Sequence, residues 1–102
     1  MGQKVYKCFD QNINLEGYGF DCLCGSSHLF YTEKPNVNGA KWTFVNNDFD
    51  NPTFSPSMHA SCREAGYVCH FVITSGKIHF LNDCTHKFSG QTIEMEDIES
   101  TN

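Results

Sequence analysis

Bulky and polar positions alternate with a period of two along most of this chain, which is the pattern of half-buried β-strands. Residues 5–9 and 18–22 alternate in this way, and residues 28–32 and 41–45 are rich in the aromatic and β-branched types that favour strands. Turn-rich stretches separate them at 33–39 and 46–52, where the Asn51-Pro52 step disfavours helix at Asn51. The clearest element is a hairpin formed by residues 67–74, a Ser75-Gly76 loop and residues 77–81. A two-residue loop ending in glycine suits the primed turns that match strand twist. That register sets Ile73 opposite Ile78 and Phe71 opposite Phe80, giving an apolar face shared with Cys69. The other face carries Val68, His70, Val72, His79 and Leu81, and is expected to meet a metal site or solvent. Residues 91–95 fit an edge strand, and only residues 61–65 hint at a helical turn. The expected fold is mainly β: a small single-domain antiparallel sheet over residues 1–96, with little helix, a metal-stapled loop or hairpin and a flexible acidic tail at 97–102.

The segment from Asn51 to Ser57 breaks this alternation. Pro52 and Pro56 fix φ and remove two backbone donors, while Thr53, Ser55 and Ser57 can satisfy nearby backbone groups with their hydroxyls. It is expected to be an ordered connection docking Phe54 and Met58 into the core, with a rigid binding ledge as the alternative.

Composition narrows the setting. Hydrophobic residues make up 39% of 102, enough for one modest core. No apolar run approaches the roughly 20 residues that span a bilayer, and the first residues carry no apolar signal region. The chain is therefore expected in the cytosol of a host cell. Its formal net charge is -5, from 12 acidic and 7 basic residues. Glu94, Glu96, Asp97 and Glu99 gather at the C-terminal end, leaving a nearly neutral body without the basic stripe that nucleic acid requires.

Chemistry concentrates in two cysteine and histidine clusters. The first is Cys22-Leu23-Cys24 with His28, and the second is Cys69-His70 with Cys84-Thr85-His86. In a reducing cytosol thiols stay free, so metal ligation is preferred to three disulfides, and zinc is the expected ion. Cys22 and Cys24 supply one half of the expected site. Cys69 and His70 point to opposite faces of their strand; His70 is preferred as a ligand on the polar face, and Cys69 is read as a buried thiol. Cys84 or His86 completes the set, with Cys69 as a further alternative, and spacing does not choose among them. His28 reads as a structural histidine rather than a ligand, and His79 as a partly exposed residue on the side of the hairpin.

Together, Cys22-Leu23-Cys24, the stretch from Pro52 to Ser57, Cys69-His70-Phe71, the run from Gly76 to His86 and Gly90-Gln91-Thr92 resemble a group of small phage- and prophage-encoded proteins of unknown function. Its members are predicted to bind zinc, and some are labelled ammonia monooxygenase, an activity these residues do not support. Leu23 stands where the usual pattern of that group has proline. Relatives that carry serine in place of Cys69 or Cys84 shift weight to His70 and His86. The function expected on these grounds is a non-enzymatic, zinc-binding phage accessory protein that binds a host or phage protein, with countering an antiviral defence as one purpose such binding would serve. The alternatives are a component of a larger assembly, or a zinc-dependent hydrolase with Asp83 or Glu64 as base and His59 or His79 as second choices.

Overall fold

A computed structural model describes residues 2–62 and 66–98. Eight strands follow in order: β1 (Tyr6–Phe9), β2 (Leu15–Asp21), β3 (Ser27–Tyr31), β4 (Thr43–Phe44), β5 (Phe54–Cys62), β6 (Tyr67–Thr74), β7 (Lys77–Phe80) and β8 (Thr92–Glu94). They form two antiparallel sheets, one ordered β1-β2-β3 and the other β4-β5-β6-β7-β8. Among the described residues there is no helix, and none is long and apolar enough to cross a membrane.

Aromatic rings join the sheets. Phe30 of β3 stacks on Phe54 of β5 with centroids 4.1 Å apart, and Phe44 of β4 lies 4.5 Å from the same ring. Phe20 of β2 meets Phe71 of β6 edge-on at 5.6 Å. Phe30, Phe54 and Phe71 are almost wholly buried, and each stabilises the fold by about 1.5–3 kcal/mol through removal from water. Gly17 lets β2 lie this close to β3, because a Cβ there would collide with the Phe30 carbonyl.

The hairpin follows its sequence pattern. Ile73 pairs with Ile78 and Phe71 with Phe80. Ser75 and Gly76 both have positive φ, 49° and 78°, as a type I′ turn requires.

The segment expected as a connection is instead the start of β5, whose nine residues make it the longest strand described. It absorbs Ser61 and Cys62, which were expected in a helical turn; residues 63–65 of that turn, Glu64 among them, lie outside the described residues. Antiparallel pairing with β6 outweighs the two prolines because neither interrupts a needed donor. Pro52 precedes the strand, and Pro56 lies where the ladder breaks. Pairing steps from Met58↔Phe71 to Phe54↔Ile73, so β5 advances four residues while β6 advances two. Proline is tolerated within sheets at such bulges, and bulges re-aim side chains next to active sites.

Asp97 and Ile98, assigned to the tail, are tied to the N-terminal segment. Lys4 Nζ lies 3.1 Å from Asp97 Oδ1, and the Ile98 N–H donates to the Gln3 carbonyl at 2.8 Å. Residues 99–102 lie outside the described residues.

Candidate active site and buried cysteine cluster

Strand β6 carries chemistry on both faces, as alternation requires. On the outer face His70 lies directly opposite His59 of β5, with ring centroids 5.0 Å apart. The bulge sets Ser57 beside them, its Oγ 3.2 Å from His70 Nε2. Trp42 fixes the Ser57 backbone by donating Nε1–H to its carbonyl at 3.2 Å. On the other side of the imidazole, Asp83 Oδ2 is 2.9 Å from Nδ1.

Asp83 owes its position to a loop sewn along β6. The Leu81 N–H donates to the His70 carbonyl, the Thr85 N–H to the Val68 carbonyl, and the Val68 N–H to Thr85 Oγ1. Cys84 grips the His70 backbone twice: its Sγ accepts from the N–H at 3.3 Å and donates to the carbonyl at 3.1 Å. The hydrogen bond from His70 holds the Asp83 carboxyl below its ordinary value, so it is ionised at neutral pH. An ionised carboxylate only accepts, so Nδ1 carries the proton; in the neutral ring Nε2 is then an acceptor, and Ser57 donates to it. The result is a serine, histidine and aspartate in one hydrogen-bonded line. Such a triad is recognised by geometry rather than chain order, and the order here differs from those of the chymotrypsin, subtilisin and α/β-hydrolase types.

The inner face of β6 carries Cys69, with no exposed surface. Its Sγ is 3.9 Å from Cys22 Sγ and 3.4 Å from His86 Nε2, while Cys24 Sγ lies 3.5 Å from His28 Nε2. Ligand atoms of Cys22, Cys24, His28 and Cys69 all lie within 4.8 Å of one another, an arrangement that can hold a metal ion. A hydrogen bond from the Cys69 thiol pulls Cys22 down to about 4 against burial, and the same bond holds the Cys69 proton well above its ordinary value. The pair thus keeps one thiolate in the core, where a cation is the natural partner for a buried charge.

The five residues expected around one metal are therefore divided. Cys22 and Cys24 share the buried cluster. His86 reaches it only through Cys69, whereas His70 belongs to the outer line and Cys84 is bonded to the His70 backbone. Cys69, kept only as an alternative in the sequence, and His28, read there as structural, are the residues brought together with Cys22 and Cys24. Their apolar surroundings concealed this: the thiol face of β6 points at the β2–β3 turn, a contact between two sheets that local spacing does not encode. Ser57 was not singled out for chemistry in the sequence. Its signal was the serine-rich break in β5, legible only once β5 is paired with β6.

The family model of the bacterial ubiquitination-like system serine protease BubE matches residues 3–81. The chain belongs to this family. The match contains Ser57 and His70 and ends two residues before Asp83. It overturns the non-enzymatic accessory role expected from the sequence, because the family is one of proteases. No curated protein and no solved structure matches the chain.

Proposed function

We propose that this protein is a serine protease in which Ser57 is the nucleophile, His70 the general base and Asp83 the residue that orients and stabilises the imidazole. The observation carrying this reading is the continuous Ser57 Oγ–His70 Nε2 and His70 Nδ1–Asp83 geometry, at 3.2 and 2.9 Å, within a chain of a serine-protease family. Ser57 Oγ attacks the scissile carbonyl as its proton passes to His70 Nε2. His70 then returns that proton to the leaving amine, and water releases the acyl group by the same route. Asp83 keeps the ring in the productive tautomer and offsets the imidazolium charge. The substrate would be a protein of a bacterial ubiquitination-like system, which makes the expected protein partner a substrate. A groove of about 390 Å³, lined by Leu29, Tyr31, Trp42, Met58 and His59 but by no member of the triad, adjoins it through His59 opposite His70 and offers room for the substrate chain. Incubating the protein with proteins of such a system should yield a cleaved product with wild type and none with Ser57→Ala. Equal cleavage by both would overturn the assignment.

The buried cluster we assign to zinc. Three thiols and one imidazole suit its tetrahedral preference, and Cys22, Cys24, Cys69 and His28 would close a structural site without an open position. Zinc there would join the β2–β3 turn to β6 and brace the strand that carries His70. Thiols available for such a site suit the reducing cytosol. Protein purified without added metal should carry close to one zinc per chain and lose stability when the zinc is removed; protein purified without zinc, or of equal stability with and without it, would count against the assignment.

A further inference from the structure

His59 has no part in the line from Ser57 to Asp83, yet it is exposed directly across from His70. Its imidazole, that of His70 and the Asp83 carboxylate present ligand atoms within 4.8 Å of one another. Two imidazoles and a carboxylate are a donor set for borderline divalent ions such as zinc, with a fourth position left for water. The three residues come from β5, β6 and the loop after β7, so two paired strands and the loop sewn along β6 hold them together. We propose that His59, His70 and Asp83 form a second, surface site for a divalent transition-metal ion, whose occupation switches the protease off. The switch rests on the catalytic reading above; the binding does not.

The chemistry of the switch is direct. An ion bound to His70 uses the imidazole lone pair that would otherwise accept the Ser57 proton, and it competes with His70 for the Asp83 carboxylate. Whichever ring nitrogen binds, the base is lost. The site is open to solvent and built of neutral imidazoles and one carboxylate, so it binds more weakly than the buried thiolate cluster. The ion therefore leaves when the metal level falls, and inhibition is reversible without loss of the core metal.

Two readouts on the full chain with its buried cluster loaded test this. Titration with cobalt, followed by visible absorption, reports binding at a site of nitrogen and oxygen ligands. Labelling by a fluorophosphonate, followed with and without added zinc, reports the reactivity of Ser57. Wild type should bind a weak second equivalent and lose labelling as it fills. His59→Ala and His59→Gln should each weaken that binding by about tenfold or more, since one ligand of three is gone, and should shift inhibition to correspondingly higher zinc. His70→Ala should remove the second equivalent altogether. Cobalt binding of unchanged affinity in both His59 variants would overturn the site. Weak binding that needs His59, in a protein that never labels, would sustain the site while removing the protease reading and with it the switch.

Discussion

The two faces of β6 place similar side chains in opposite settings. Inside, Cys69 is fully buried, its Sγ beside the Cys22 thiol and the His86 ring. Outside, His70 has 23% of its side chain exposed and shares its hydrogen bonds with a serine and a carboxylate. On the proposed reading these adjacent residues would serve tasks with different demands. A buried soft-ligand cluster would help hold the sheets together, whereas a nucleophilic serine must be reachable by substrate. Burial would then separate a residue that matters for folding from one that matters for turnover.

The largest effect expected is on activity alone. Ser57→Ala should lower proteolysis by about a thousandfold or more while barely moving the melting temperature, because the side chain is half-buried and its hydroxyl is spent on His70 rather than on the core. A large loss of stability would erase the contrast between the faces. Asp83→Asn should also cost on the order of a thousandfold in rate, through the wrong tautomer of His70, with little change in stability since the side chain is exposed. Retained activity would mean that the carboxylate is not the orienting group.

The converse experiment addresses the inner face. Cys69→Ser should destabilise the protein by about 4 kcal/mol or more if the bound metal is part of the folding energy, and activity should fail only as the fold fails. Chemical denaturation of the variant, with activity followed in parallel, separates the two. A Cys69→Ser protein that stays folded but is inactive would make the inner cluster part of the chemistry.

This division was only partly legible in the sequence. The hairpin was written in local terms: alternation, a Ser75-Gly76 turn, and residues that face each other once the turn is fixed. β5 was hidden because Pro52 and Pro56 argue locally against a strand, and only pairing with β6 shows that a bulge accommodates the second. His70 was singled out as a ligand and Asp83 as a base for another kind of hydrolase, so the parts were visible without the arrangement. Ser57, His70 and Asp83 come from three different segments, and no short motif announces a constellation closed only by sheet register. The buried cluster was half legible for a related reason. Cys22 and Cys24 were grouped by their spacing, but Cys69 and His28 are brought to them by sheet packing, which local spacing does not encode.

Acid offers a gentler test of the inner face. In the metal-free protein Cys22 titrates lower than in the unfolded chain, so its contribution is complete above the unfolded value and fades as pH falls. Thermal melts of chelator-treated protein should therefore show stability declining as pH falls from about 9 toward about 4, a slope that Cys22→Ser flattens. An unchanged slope would remove the thiolate from the core. The smallest effect should come from Trp42→Phe, which loses one hydrogen bond to the Ser57 carbonyl, worth about 1 kcal/mol. A several-fold drop in turnover with similar substrate affinity would mark Trp42 as a positioning residue.

The most direct measurement of the central claim is mass-spectrometric mapping of the protein after reaction with a fluorophosphonate at neutral pH. The account predicts one adduct, on Ser57, formed by wild type and suppressed in His70→Ala and Asp83→Asn variants that remain folded. An adduct on another serine, or equal labelling of Ser57 in wild type and His70→Ala, would contradict it.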